Sequence, residues 1–85
     1  MAEVVIPSVL AAQADGRSRF DVEAETLGEA LHALPIADLL FDARGELSRH
    51  LNVYVDGEDA RERGFLERPL TGIREVRIVG MISGG

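Results

Sequence analysis

One amphipathic helix pattern, set between strand patterns, constrains the fold of this 85-residue chain more than any other feature. Apolar residues recur there at i, i+3, i+4 and i+7, the stripe of a helix that buries one face. They are Leu27, Ala30, Leu31 and Leu34. Thr26 and Glu29 form a capping box at its start, because the threonine hydroxyl can accept from the Glu29 amide while the glutamate side chain reaches back. Pro35 ends the pattern.

Two strand patterns precede this helix and predict a β-hairpin. Residues Glu3 to Leu10 are rich in valine and isoleucine, and Pro7 within them suggests an edge position or a bulge. Residues Arg19 to Glu23 alternate polar and apolar side chains, as a half-buried strand does. Ala14-Asp15-Gly16 lies between the two and is typical of a turn.

The region after the helix predicts a short second helical turn, a loop and a clear strand. Ile36, Leu39, Leu40 and Phe41 form the helical turn, and Asp42 to Gly45 form the loop. Leu51 to Val55 is the strand, closed by an Asp56-Gly57 turn.

The last part of the chain predicts two more strands. A short strand is expected near Glu58 to Arg61, and Glu75 to Val79 alternates as the final strand. Between them, Glu62 to Thr71 forms a longer connection, which we expect apolar side chains to anchor. These are Phe65, Leu66 and Leu70.

The order of these elements predicts an α+β fold in which a mixed sheet of about five strands packs on one main helix. This is the β-grasp, or ubiquitin-like, arrangement. A chain of this length forms one core, so we expect a single domain over residues 1–79 and a flexible tail over residues 80–85. A monomer is expected when the protein is free.

Composition excludes several classes of function. The net charge of −6 disfavours binding to nucleic acid, and the chain has no apolar run long enough to span a bilayer. The absence of cysteine excludes disulfides and thiol chemistry. Neither His32 nor His50 has partners at metal-ligand spacing, so no metal site is expected. Met1-Ala2-Glu3 does not resemble the start of a signal peptide, which favours a cytoplasmic location.

The sequence ends in Gly84-Gly85, a pair that can run extended through a channel too narrow for side chains. The α-carboxylate of Gly85 is ionised at neutral pH and is not hindered by a side chain. A partner enzyme can therefore act on the last atoms of such a tail. A terminal glycine pair is also common in frayed chain ends, so the domain that carries it decides its meaning.

Several stretches resemble the β-grasp sulfur-carrier (MoaD/ThiS-like) family. Asp42 to Leu47 resembles the D-x-x-G-x-L loop of that family, and Leu51 to Asp59 resembles its h-N-V-Y-V-N/D-G-x-D strand and turn. Thr26 to Leu31 resembles its T-h-G-E-h-L helix start, and Pro69-Leu70-Thr71 and the terminal Gly84-Gly85 also match. The family includes the small subunit of molybdopterin synthase, the thiamine-pathway sulfur carrier and the carrier of thiocarboxylate-dependent cysteine synthesis.

The chain departs from the family pattern at the last turn and at the tail. Arg74 stands where an acidic residue is usual, and Gly72 is one place early. Gly80 replaces a proline, which removes a fixed φ, and Met81-Ile82 is bulkier than the usual pair.

The resemblance implies a carrier that is not itself an enzyme. An E1-like adenylating enzyme of the MoeB/ThiF type would use ATP and Mg²⁺ to adenylate Gly85, and a sulfur donor would then convert the adenylate to a thiocarboxylate. A downstream synthase would accept the sulfur for cysteine, molybdopterin, thiamine or a thio-metabolite. The chain itself would hold no cofactor.

We expect a set of partner-binding residues around the tail. They are Val79, Gly80, Met81, Ile82, Ser83, Arg74 and Arg77, with Gly84 and Gly85 as the reacting end. Of these, Val79 is implied by the resemblance. Met81 and Ile82 lie beyond the last strand with little core left to join, and both arginines can pair with acidic residues of a partner. For Val79 a place in the core is an equal interpretation, and for both arginines a solvated strand face is the alternative.

Three other functions share the same sequence features. A protein modifier would form isopeptide bonds through Gly85 from the same adenylate. A small subunit of a molybdopterin-synthase-type complex would complete a partner's active site with the tail. A plain β-grasp interaction domain would carry the glycine pair by coincidence.

Overall fold

The computed structural model describes residues 2–62 and 64–80. The strands are β1 (Ala2–Val5), β2 (Arg19–Val22), β3 (Leu51–Val55), β4 (Glu58–Asp59) and β5 (Glu75–Gly80). The α-helices are α1 (Ser8–Ala11), α2 (Leu27–His32) and α3 (Ala37–Leu40). Short 3₁₀ helices span Ala12–Ala14, Ala60–Glu62 and Phe65–Glu67.

Within the described residues the strands form one mixed sheet of five strands, in the order β2-β1-β5-β3-β4. The two central strands, β1 and β5, run parallel, with Val4 opposite Val76. The other neighbouring pairs are antiparallel. Parallel neighbours need a long connection, and here it includes α2, which covers one face of the sheet. The predicted β-grasp arrangement is confirmed.

The core lies between α2 and the inner face of the sheet. The apolar stripe predicted for the helix is buried, and Leu27, Ala30 and Leu31 have no exposed surface. On the sheet, alternation along each strand places a matching set of side chains inward. These are Val4, Val53, Val55, Val76 and Ile78, each no more than 2% exposed.

The capping box at the start of α2 is formed as predicted. Thr26 Oγ1 accepts from the Glu29 amide at 3.3 Å, and Glu29 Oε2 accepts from the Glu25 amide at 3.0 Å. The glutamate thus reaches back one residue beyond the cap. The first bond satisfies a backbone donor that the first turn leaves unpaired, the second ties the residue before the cap to the helix, and together they fix where the helix starts.

Asp56, in the turn between β3 and β4, holds the start of β5 through hydrogen bonds. Its Oδ1 accepts from the amides of Arg74 at 3.2 Å and Glu75 at 2.9 Å, and its own amide donates to Glu75 O at 2.9 Å. Asp56 has φ 49° and Gly57 has φ 86°, the left-handed conformations of a tight hairpin turn. The predicted Asp56-Gly57 turn therefore also sets the register of the last strand.

The prediction of a strand over Glu3 to Leu10 is wrong in its second half. β1 ends at Val5, and Ser8–Ala11 is helical. Pro7 lies beyond the strand, at the cap of α1, and β1 has a neighbour on each side, so Pro7 marks neither an edge nor a bulge. The Pro7 carbonyl accepts from the amides of Leu10 at 3.0 Å and Ala11 at 2.9 Å, which turns the chain into a helix.

Two strand ends also differ from the prediction. β4 ends at Asp59, two residues early, because Asp59 Oδ1 accepts from the Arg61 amide at 2.9 Å and the chain continues as a 3₁₀ helix. β5 continues one residue further than predicted, and its last residue, Gly80, pairs with Leu51. The predicted tail residues 81–85 lie outside the described residues.

Leu31→Ala tests the packing of the helix on the sheet. Leu31 is fully buried, so truncation removes apolar contacts and leaves a cavity. We expect a loss of about 2–5 kcal/mol in the free energy of unfolding, measured by urea denaturation. Leu39→Ala is the matched control: Leu39 is 48% exposed, and its truncation should cost about 0.5 kcal/mol or less. Equal losses in the two variants would contradict this packing.

Candidate functional site at the end of the last strand

The end of β5 presents an apolar side chain to solvent. Val76 and Ile78 point inward and are 0% and 2% exposed, whereas Val79 follows on the opposite face and is 38% exposed. Of the two interpretations of Val79, the core position is excluded by this exposure. The side chain stands across from Asn52 of β3, one residue before the predicted tail.

Helix α1 supplies a second exposed apolar side chain beside this strand end. Val9 is 65% exposed, the largest value among the large apolar side chains that the structure describes as exposed. An open groove of about 410 Å³ lies between α1, β5 and the start of β3. Its lining is mostly apolar and consists of Pro7, Ser8, Val9, Leu10, His50, Leu51, Val79 and Gly80.

Sequence reasoning missed this groove because it assigned Val9 to a strand. The groove exists only because the chain leaves the sheet after Val5 and turns into a helix at Pro7. The helix has four residues, too few for a periodic pattern. A proline followed by residues with good helix propensity, such as Leu10 and Ala11, was the available signal.

Gly80, the first residue of the predicted tail, is instead the last paired residue of β5. A Cβ built on Gly80 would have Pro7 Cγ as its nearest contact, at an ordinary 3.9 Å. Residues 81–85 follow and lie outside the described part of the chain; they include the predicted site residues Met81, Ile82, Ser83, Gly84 and Gly85. A fully extended chain of that length reaches about 17 Å from Gly80.

The two arginines predicted to contact a partner lie at different places on β5. Arg77 is near the middle, 49% exposed, with Nε 3.2 Å from Glu75 Oε1 on the same face of the strand. Arg74 precedes the strand, about 20 Å from Gly80 at the spacing of extended chain. The structure therefore groups Val79 and Gly80 with the groove, and does not bring Arg74 to it.

Within residues 2–62 and 64–80, no group of three or more histidine, aspartate or glutamate side chains is arranged to hold a metal ion. His50 lies at the groove, while the exposed His32 stacks on Phe41 with ring centroids 4.0 Å apart. In the same part of the chain, none of the helices has both the length and the apolar character needed to cross a membrane.

Comparison with known proteins identifies relatives along nearly the whole chain. No family model matches the sequence. The sulfur carrier protein CysO of Mycobacterium tuberculosis is 30% identical over 89 aligned positions, which cover 96% of each chain. The crystal structure of that CysO superposes with a TM-score of 0.83 at 28% identity, covering 96% of this chain and all of the other.

Two further solved structures share the fold at similar identity. A chain in the crystal structure of the Amycolatopsis orientalis BexX/CysO complex has a TM-score of 0.82 and 26% identity over the full length of both chains. SAMP1 from Haloferax volcanii has a TM-score of 0.69 and 31% identity, covering 99% of this chain and 98% of its own. With its β-grasp sheet and its likeness to CysO over 96% of both chains, this chain belongs to the CysO family of sulfur carrier proteins.

Proposed function

We propose that this protein carries sulfur as a thiocarboxylate on Gly85. The observation that carries the proposal is the 30% identity to the sulfur carrier CysO over 96% of both chains. The fold supports it, because β5 ends at Gly80 on the surface of the domain and the predicted tail starts there. The protein acts as a carrier for partner enzymes and is not an enzyme itself.

The proposed cycle has two chemical steps. A carboxylate oxygen of Gly85 attacks the α-phosphorus of ATP, which releases pyrophosphate and forms an acyl-adenylate. A sulfur donor at the oxidation level of sulfide then attacks the carbonyl carbon, and AMP leaves with the former carboxylate oxygen. The product is a thiocarboxylate, whose sulfur is the nucleophile for the acceptor.

Partner enzymes supply the activation chemistry in this proposal. An adenylating enzyme of the MoeB/ThiF type binds ATP and Mg²⁺, and a downstream synthase accepts the sulfur. The chain itself positions the reacting carboxylate. A short tail on a folded domain holds Gly85 at high effective concentration in the partner's active site. We place the protein in the cytoplasm, where ATP is available for the first step.

Cysteine biosynthesis is our proposed destination for the sulfur. The likeness to two CysO proteins supports it. The strand and loop around Asp42 to Arg61 also resemble the cysteine and molybdopterin types of carrier more closely than the shorter thiamine carrier. Molybdopterin, thiamine and thio-metabolite synthesis are the alternative destinations.

A second candidate function is that of a ubiquitin-like modifier conjugated through Gly85. The 31% identity to SAMP1, a small archaeal modifier protein, favours it. Both functions begin from the same adenylate. They differ in the nucleophile, which is sulfide for a carrier and an amine of another protein for a modifier.

Pyrophosphate exchange tests the first step. We expect a purified MoeB/ThiF-type enzyme to catalyse ATP–pyrophosphate exchange only when this protein is present. Gly85→Ala should lower kcat/KM about tenfold, because a methyl group must enter a channel shaped for glycine. Deletion of Gly84-Gly85 should abolish exchange while the thermal unfolding midpoint stays unchanged. Full exchange with the deleted chain would contradict the role of Gly85.

Sulfide distinguishes the carrier from the modifier. After adenylation in the presence of sulfide, we expect the intact mass to rise by one replacement of oxygen by sulfur, mapped to the C-terminal peptide. The Gly84-Gly85 deletion is the control and should show no change. Adenylation without any sulfur gain, together with amide-linked adducts on other proteins, would favour the modifier.

A further inference from the structure

A hollow with two arginines lies on the surface of this chain, whose net charge is −6. It is open to solvent, has a volume of about 380 Å³ and lies between the loop before β3 and the 3₁₀ helices Ala60–Glu62 and Phe65–Glu67. Its lining includes Glu46, Leu47, Arg49, Arg61, Phe65 and Leu66. It shares no residue with the groove beside β5 and is therefore a separate feature of the surface.

Neutral groups hold the Arg61 guanidinium in place. Its Nη1 donates to Asn52 Oδ1 at 2.9 Å, and its Nη2 donates to Leu51 O at 3.3 Å. Its Cζ lies 5.0 Å from the centre of the Phe65 ring. These contacts use two of the five N–H groups of a guanidinium. Within residues 2–62 and 64–80 no carboxylate pairs with Arg61, so a positioned cation keeps its charge and its other donors for a ligand.

The ring beneath Arg61 belongs to a residue in a backbone conformation that bulky side chains rarely adopt. Phe65 has φ 46°, directly after Gly64 at φ 79°. The other non-glycine residues with positive φ in the described chain are Asp15 and Asp56, and aspartate tolerates this conformation far better than phenylalanine. Backbone strain of this kind is typical of functional sites, and here it occurs at the residue whose ring supports the guanidinium.

The second arginine adds a charge that no side chain in the described part of the molecule neutralises. Arg49 is exposed, and its side chain has no hydrogen bond or ion pair among the described residues. Glu46 also lines the hollow, but it forms an ion pair with neither arginine in those residues. The hollow therefore contains two cations and one anion, which leaves an excess of one positive charge.

Charge and shape together indicate the ligand. A guanidinium presents a planar fork of donors that matches a carboxylate, and Leu47 and Leu66 add apolar wall beside it. The volume is at the lower end of the range of ligand pockets, and the open side leaves most of a small molecule in water, whereas such pockets bury most of their ligand. A protein segment fits better, because the rest of its own surface covers the opening.

We propose that this hollow docks an acidic segment of a partner protein, whose aspartate or glutamate carboxylate binds Arg61 and Arg49. The positioned guanidinium of Arg61 receives the carboxylate, and Arg49 adds attraction and further donors. The proposal goes beyond the proposed function, since it depends neither on sulfur chemistry at Gly85 nor on which enzyme acts there.

Titration of the full-length protein with a short acidic peptide, acetyl-Leu-Glu-Glu-Leu-amide, tests the hollow by ¹H–¹⁵N NMR. We expect the peptide to shift the amide signals of Gly45, Arg49 and Phe65, which line the hollow. Binding should weaken as salt rises, because screening reduces the attraction between exposed charges. The same peptide with glutamine in place of both glutamates should leave these signals unchanged.

Substitutions in the hollow should change the affinity in opposite directions. Arg61→Gln should weaken binding of the peptide about fivefold, through loss of charge-assisted hydrogen bonds. Arg49→Gln should also weaken it with an unchanged thermal unfolding midpoint, which keeps the test sound if Arg61→Gln disturbs β3. Glu46→Gln should tighten binding, because it removes a repelling charge. Arg17→Gln is the matched control, since Arg17 is exposed and lies 4.7 Å from the centre of the Phe20 ring, outside the hollow.

Weaker binding in both hollow variants and not in Arg17→Gln supports the proposal. Wild-type affinity in Arg61→Gln and Arg49→Gln overturns it, and so does an equal loss in Arg17→Gln, which reports net charge alone. Inorganic phosphate that shifts the same signals with higher affinity than the peptide would show a small-anion site instead. A dimer in sedimentation that Arg61→Gln converts to a monomer would assign the hollow to a second copy and overturn docking of a different partner. Pyrophosphate exchange tests the proposed function independently of all these results.

Discussion

The parallel pairing of β1 with β5 is the constraint on which the rest of this structure depends. It joins the first and last strands at the centre of the sheet. The two halves of the sheet, β2-β1 and β3-β4, are therefore connected only when β5 pairs between them. The connection between them must cross the sheet, and α2 on that path covers the inner face with Leu27, Ala30 and Leu31. The same pairing directs β5 toward the groove end, where it finishes at Gly80.

β5 is held at both of its ends and leads directly to the predicted tail. Asp56 fixes the start of β5 through the amides of Arg74 and Glu75, and pairing with Leu51 fixes its end. The position from which the tail leaves is therefore set by the sheet. In the proposed function, an enzyme that binds this surface would find Gly85 within a short distance, which is the entropic advantage of attaching a small carboxylate to a protein.

The sequence predicted most of the fold because its strongest patterns are long and locally consistent. The α2 stripe and the Leu51–Val55 strand each repeat over enough residues to fix a face. Helix α1 escaped prediction because four residues carry no period, and valine and isoleucine nearby favoured a strand. The alternation of Val76 and Ile78 already implied that Val79 faces outward, although its apolar character left a place in the core open.

The groove could not be predicted, because its walls come from three parts of the chain that only the folded sheet brings together. Pro7 to Leu10, His50 with Leu51, and Val79 with Gly80 are far apart in sequence. The assignment of Gly85 as the reacting residue stays a prediction, which depends on the chemistry of one terminal carboxylate and on a family likeness. β5, through its parallel pairing with β1, connects the folded domain to the predicted tail.

The most direct test of the central claim is the intact mass of the protein isolated from its native host without reducing or alkylating treatment. We expect a fraction whose C-terminal peptide has one oxygen replaced by sulfur at Gly85. A population found only as the free carboxylate and as amide conjugates of other proteins through Gly85 would contradict it.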